Sequence, residues 1–334
     1  MRSIIRIVFL FLNRMTSWIH VNKSKMSTYR SGYYQVEPEG LFKSKTMPAT
    51  VVSAYYEMPS KQSVDTYKMW INNFLRNVNC HLVFFCEESM REFVEEAREE
   101  FKSKTRIIIL PREEWVMNKK HSEAFWKKQF SMDPERDIHR SSDLYKVWHE
   151  KKEFVKRAIN LNPFDHDDFV WMDAGSIRSE SMASLLKDFP HASRIPTNRM
   201  LLLNVQPFSK QDNTIYRFEK GVTIQGGVTG VARIGGGVYA GSIRMWTQFD
   251  KAYNTVFDKY VSANIFLGKD QSLLATLVLE NNKIVSLLEP KPFFGNPWMN
   301  LVLYLGVNKK LFEAFNDKSK SSLKKSYEEL LMLQ

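Results

Sequence analysis

Cysteine is nearly missing: Cys80 and Cys86 are the only two among 334 residues. They bracket the strand-like run HLVFF, so at about 3.3 Å per residue they stand roughly 20 Å apart. A disulfide needs Cα atoms within about 7 Å, which excludes a bond between them and suits a reducing compartment. Histidine stops at His191, and the seven present show no Ser-His-Asp order, zinc spacing or HExxH pattern. No Gly-Lys-Ser/Thr follows the glycine clusters, and no GxGxxG follows the first strand-like run, which argues against Walker and dinucleotide loops. Internal repeats and Pro-rich or Gly/Ser-rich linkers are also missing. The apolar run IIRIVFLFL, residues 4–12, is too short to span a bilayer; Arg6 interrupts it and Asn13-Arg14 closes it. The following MTSWIH is a poor signal-cleavage site. A marginal membrane anchor, an interfacial segment and an incidental extension all stay open, so the expected location is cytoplasmic or membrane-associated.

The net charge is +11, unevenly spread. Residues 1–47 carry eight basic side chains (Arg2, Arg6, Arg14, Lys23, Lys25, Arg30, Lys43, Lys45) against Glu37 and Glu39, a surplus of six. That basic leader allows peripheral membrane contact. The rest is only mildly basic, so no nucleic-acid partner is expected, and a groove for a small anion fits equally well.

After the leader, strands and helices alternate. TVVSAYY (50–56), HLVFFC (81–86), TRIIIL (105–110) and DFVWMD (168–173) read as strands. Val64, Tyr67, Ile71, Phe74, Leu75 and Val78 mark one helical face; Met90, Phe93, Val94, Ala97 and Phe101 mark another. Near-continuous apolar strands suit a parallel sheet covered on both faces. The expected class is α/β, with a Rossmann-like, mostly parallel central sheet flanked by helices. Later, LLLNVQPF (201–208) reads as a strand, 242–263 and 269–281 as helices, KIVSLLE as a short strand, 290–305 as an ordered loop, and the tail from Lys309 as a surface helix.

Four stretches carry chemistry. The helix at 142–160 has the apolar stripe Leu144, Val147, Trp148, Phe154, Val155, Ala158 and Ile159, and Lys151 falls near its centre. That ammonium either snorkels to water or aims at an anionic ligand near the sheet; Lys152, Lys156 and Arg157 read as surface charge. FVWMDAGSIR ends a buried strand on Asp173. It is either a turn residue or, with Gly175 permitting close approach, a ligand for a divalent cation such as Mg²⁺ or Mn²⁺ bridging two phosphates. GGGVYAG (235–241), with Gly236 and Gly237 inside it, is either a tight turn or a substrate wall. In LGKDQSLLA, Lys269, Asp270 and Gln271 open a helix, where Asp270 either caps it or grips hydroxyl groups with Gln271.

Together VVSAYYEMPSK, WHEKKEFVKRAINLNPF, FVWMDAGSIR, GGGVYAGS, LGKDQ and NPWMNLVLYL resemble the HtrL/YibB family of glycosyltransferase-like proteins, over about Ala49 to Leu305. The resemblance implies a GT-A fold and transfer of a sugar from a nucleotide diphosphate sugar to a hydroxyl of a glycan or glycolipid. It implies a catalytic domain at 48–308 between the leader and a helical tail at 309–334. Ala54, Tyr55 and Tyr56 would meet the base, while Lys151, Lys269 and Asp173, through a metal, would manage the diphosphate. Asp270 and Gln271 would orient hydroxyls or supply the base, with Gly175, Gly236 and Gly237 lining the site. In this pattern Asp173 matches the first acid of an Asp-x-Asp motif, but Gly175 replaces the second. A sugar nucleotidyltransferase usually has a glycine-rich loop after the first strand, and AYYEMPSK has none. A non-catalytic basic binder and an inactive homologue are the other readings.

Overall fold

A computed structural model describes residues 48–186, 188–208, 212, 232–289 and 296–316. The leader and the IQGGVTG cluster lie outside the described residues. The elements run β1 Thr50–Tyr55, α1 Val64–Asn77, β2 His81–Cys86, α2 Arg91–Ala97, β3 Thr105–Ile109, α3 Val116–Lys120, α4 Glu123–Met132, α5 Arg136–His139 and α6 Asp143–Leu161. They continue through β4 Asp168–Met172, α7 Glu180–Ser184, β5 Met200–Asn204, β6 Ile234–Ser242, α8 Ile243–Ser262, α9 Asp270–Glu280, β7 Val285–Leu288, α10 Asn300–Gly306 and α11 Lys309–Asn316.

Seven strands form one sheet in the order β3-β2-β1-β4-β6-β5-β7. All pairings are parallel except those of β6, which runs against both β4 and β5. This is the expected α/β class, a mostly parallel sheet with helices on both faces. One face packs Val51, Phe84, Val170 and Leu201 against Phe74 of α1 and Leu303 of α10. The other packs Val52, Phe85, Trp171 and Leu202 against Phe154 of α6, Phe249 of α8 and Leu274 of α9. Alternate residues of each strand feed opposite cores, as the two-residue side-chain period requires.

Local chemistry sets the boundaries. Ser63 caps α1 by accepting from the Thr66 amide at 3.2 Å, and Ser242 caps α8 by accepting from Met245, each satisfying an orphan amide. Arg98 is almost fully buried and donates to the carbonyls of Leu75, Val78 and Cys80 at 3.1, 2.7 and 2.8 Å. It thereby satisfies carbonyls at the open end of α1 that have no helical partner. Cys80 and Cys86 are free and buried.

Three expectations need correction. GGGVYAG is neither a turn nor a loop: it lies within the nine-residue β6, with a register shift opposite Leu202 and Leu203. The expected loop at 290–305 contains α10, whose residues Asn300–Gly306 are all buried; residues 290–295 lie outside the described residues. NLVLYLG is apolar nearly all round, so it has no amphipathic stripe to reveal a helix, and it is buried on every side. The strand expected to reach residue 208 ends at Asn204. No helix among the described residues is long and apolar enough to cross a membrane.

Candidate functional site

The chain leaves β1 for β2 and β3 on one side, then returns through α6 to place β4 on the other side of β1. Ligands of open α/β sheets bind where connections diverge in this way, outside the carboxyl ends of the strands. The β1–β4 ladder stops at Val52 and Trp171, and just beyond it Ser53 Oγ donates to the Met172 carbonyl at 2.7 Å. Asp173 is the next residue, held in line by its amide, which donates to the Gly237 carbonyl at 2.8 Å.

Trp171 and Asp173 share a strand face, two residues apart. The Trp171 indole donates to Asp173 Oδ1 at 2.8 Å, and its ring stacks on Phe154 of α6. From the same helix Lys151 reaches across. Its Nζ lies 3.0 Å from Asp173 Oδ1 and 3.3 Å from Oδ2, donates to Asp270 Oδ2 at 2.9 Å, and donates to the Gly236 carbonyl at 2.7 Å. An ammonium has three protons, and three acceptor groups take them. Lys151 therefore neither snorkels to water nor points freely at a ligand.

The exposures divide the two acids. The Asp173 side chain is 41% exposed, whereas those of Asp270 and Lys151 are 4% and 5% exposed. Asp173 is open to solvent, whereas Asp270 is enclosed with the lysine. Burial pulls the Lys151 ammonium down, but the two carboxylates more than offset this and hold its pKa above the ordinary value. Burial raises Asp270, Lys151 opposes the rise, and Asp173 adds to it.

The other expected residues spread around this centre. Ala54 and Tyr55 end β1 half-buried, and Tyr55 faces Tyr67 of α1 with ring centres 6.0 Å apart. Tyr56 is drawn into the core instead. Its hydroxyl donates to the Leu110 carbonyl at 2.9 Å, and its ring packs on Trp115 and Phe154, so it offers no face to a base. Gly175 lies against Tyr67 and Trp70, where an added Cβ would meet ring atoms at 3.3 Å. Gln271 is half-buried on the first turn of α9. Lys269, just before α9, pairs with Glu135; burial holds its ammonium below the usual lysine value, with Lys61 adding to that and Asp133 and Asp270 opposing. A separate hollow of about 300 Å³ lies at the amino ends of β1 and β2, between Ala49, Cys80, His81 and His191, and contains none of these residues.

α6 also corrects the reading of Lys152 as surface charge. It is buried and pairs with Glu153 and, at 2.7 Å, with Asp250 of α8. Buried charges need partners, and this helix supplies them along its length.

His149, unforeseen from the sequence, supports the approach to Asp270. Its Nε2 bonds the Leu267 carbonyl at 2.7 Å, and its Nδ1 bonds the Tyr253 hydroxyl at 2.7 Å. A carbonyl only accepts, so Nε2 carries the proton and Nδ1 accepts from Tyr253. Burial pushes His149 down to about 3, aided by the charges of Lys152 and Lys151, against the hydrogen bond to Leu267. A folded-state pKa below the unfolded value gives stability present above about 6.5 and lost as pH falls toward 3. Wild-type Tm is expected to fall steadily below about pH 6, and His149→Gln is expected to flatten that slope; a scanning-fluorimetry pH series checks both.

The expected Mg²⁺ or Mn²⁺ would need several hard oxygen donors free to face it. Among the described residues no group of three or more His, Cys, Asp or Glu is placed to hold a metal ion. The two carboxylates that converge already share an ammonium, whose charge repels a dication at the same point. These residues fit a lysine better than they fit a divalent cation.

A half-exposed acid braced by a cation and an indole stands at the switch point of a mostly parallel α/β sheet. The chain belongs to the HtrL_YibB family, described as "Bacterial protein of unknown function", whose profile matches residues 49–294. Among solved structures it is similar to mouse xyloside xylosyltransferase 1 in its apo form, at 14% identity and a TM-score of 0.40, covering 72% of this chain and 85% of that one. No curated protein sequence matches it.

Proposed function

We propose that the protein is a hexosyltransferase-like enzyme that moves a sugar from a nucleotide diphosphate sugar to a hydroxyl of a glycan or glycolipid. The observation that carries this reading is Asp173: an exposed carboxylate, immobilised by Trp171 and Lys151, at the switch point of the sheet. Ala54 and Tyr55, the latter with Tyr67 beside it, would meet the nucleotide base. Gly237 lies against Asp173 without crowding it, since a Cβ there would sit at ordinary contact distance, 3.7 Å from Oδ2.

In the reaction the acceptor oxygen bonds to the anomeric carbon while the anomeric carbon–oxygen bond to the diphosphate breaks. The bonding pair leaves on the phosphate oxygen, and the acceptor's proton passes to Asp173, acting as general base. The departing diphosphate needs cations, and Lys269 supplies one beside Asp270. Gln271, on the first turn of α9, offers its amide to sugar hydroxyls. Asp270 keeps Lys151, and through it Asp173, in place.

A panel of nucleotide sugars tests the reading. One donor at about 1 mM is expected to raise Tm by several degrees and to be hydrolysed slowly without an acceptor. Silence across the panel would leave the non-catalytic binder instead.

A further inference from the structure

The geometry points to Lys151 as the resident cation of this cluster, a tethered ammonium in the place where a divalent metal ion would bridge two acids. Four oxygens surround its Nζ: both of Asp173 at 3.0 and 3.3 Å, Oδ2 of Asp270 at 2.9 Å, and the Gly236 carbonyl at 2.7 Å. Carboxylate and carbonyl oxygens are the hard donors that Mg²⁺, Mn²⁺ and Ca²⁺ take. Here they accept from the ammonium at the spacing of N–H···O bonds.

The surroundings favour the lysine as well. Its stem is rooted in the middle of α6 and the residue is buried, so the charge cannot diffuse away. The Trp171 ring lies 6.0 Å from Nζ and adds a face of negative potential. Gly236 has no Cβ, which lets Asp270 close on the ammonium from the far side. A positive charge beside the two acids is already part of the chain. The inference deepens the proposed function and rests on it for the ligand, a nucleoside diphosphate that binds without added metal. The cation arm of its test reads the protein alone.

Two consequences follow for metal chemistry. Wild-type protein, freed of metal with EDTA, should ignore Mn²⁺ and Ca²⁺. Lys151→Met should expose a set of two carboxylates and a carbonyl with no cation, and so create a metal site.

In scanning fluorimetry, Lys151→Met is expected to lose roughly 10 °C of Tm, because one partner of a buried ion group is gone. About 5 mM Mn²⁺ or Ca²⁺ is expected to restore at least half of that loss while leaving wild type unmoved. If the variant is insoluble in chelator, recovery of soluble protein on expression and purification with Ca²⁺ reads the same result. The double variant Lys151→Met/Asp173→Asn, with one carboxylate neutralised, should gain little from either ion.

Mn²⁺ binding to wild type that disappears in Asp173→Asn, followed by the loss of the free-ion paramagnetic resonance signal, would overturn the inference. So would a Lys151→Met protein indifferent to both ions. A second arm measures binding of the nucleoside diphosphate of the best donor to wild type by calorimetry, in EDTA and in Mn²⁺. Equal affinity supports a metal-independent site, and binding only with Mn²⁺ sinks it while sparing the transferase reading. A nucleotide that binds in neither buffer removes the transferase reading, and the cation arm then decides the role of Lys151 by itself.

Discussion

Asp173→Asn is expected to cut sugar transfer by about 100-fold or more, the range lost when a general base is removed, while Tm moves by no more than a few degrees. The substitution keeps size and shape. An asparagine carbonyl still accepts the Trp171 indole proton and one proton from Lys151, so the brace survives. The net charge of the cluster, −1 with both acids ionised, becomes zero, and the remaining partners of Lys151, Asp270 at 2.9 Å and Gly236 at 2.7 Å, are untouched. What disappears is the basicity of the one exposed carboxylate. Asp270→Asn is the informative contrast. That side chain is 4% exposed, so its lost charge cannot be made up by water as it can at the half-exposed Asp173, and the change should appear first as lost stability. Release of nucleoside diphosphate, measured beside a thermal melt for both variants, checks the division of roles. Transfer within about threefold of wild type in Asp173→Asn would remove it from the chemistry, since a base contributes far more.

The parts of this arrangement that could be read beforehand are those fixed by short-range periodicity. Continuous apolar runs marked β1 to β4, and a 3.6-residue stripe with Lys151 at its centre marked α6, because each signal lies within one element. Asp173 was visible because it ends such a run. The partners of Lys151 were not, since Asp270 lies 119 positions away and nothing in either segment encodes their meeting. Distance in sequence also hid His149, whose bonds run to Tyr253 and Leu267. The glycines of β6 misled for another reason. Gly usually weakens a strand, but here the gaps admit the Asp270 carboxylate, so a local rule is broken in favour of the site. Tyr56 differs from the expectation because one residue further in an extended chain, just past β1, a side chain points to the opposite face, from the rim beside Tyr55 into the core beside Trp115. Lys152 was misread because its partner Asp250 comes from α8, and composition alone makes a lysine look exposed.

Those glycines carry the second large effect. Gly236→Ala would put a Cβ 2.6 Å from Oδ2 and 2.7 Å from Oδ1 of Asp270, closer than packed atoms approach. Neither side gives easily. The Asp270 side chain is short, sits on the first turn of α9 and is tied to Lys151, while the Gly236 carbonyl is itself tied to Lys151. Overpacking of this kind costs about 1–3 kcal/mol, and separating Asp270 from the buried ammonium adds to it. The variant should therefore lose roughly 6–9 °C of Tm, taking about 3 kcal/mol at 2–3 °C each, and lose transfer with it because Asp173 shares the same lysine. Gly237→Ala, one residue along, should behave differently: its Cβ would meet Asp173 Oδ2 at 3.7 Å and Ser176 Oγ at 4.0 Å, ordinary contacts. Its Tm should stay within about 2 °C of wild type, as for a substitution that creates no clash, while the added methyl narrows the space beside the exposed acid and raises KM for the donor. Melts and donor titrations of the two alanine variants side by side separate a glycine needed to close the cluster from one that leaves room for the ligand. Equal melting temperatures would mean that Asp270 does not sit against β6 as described.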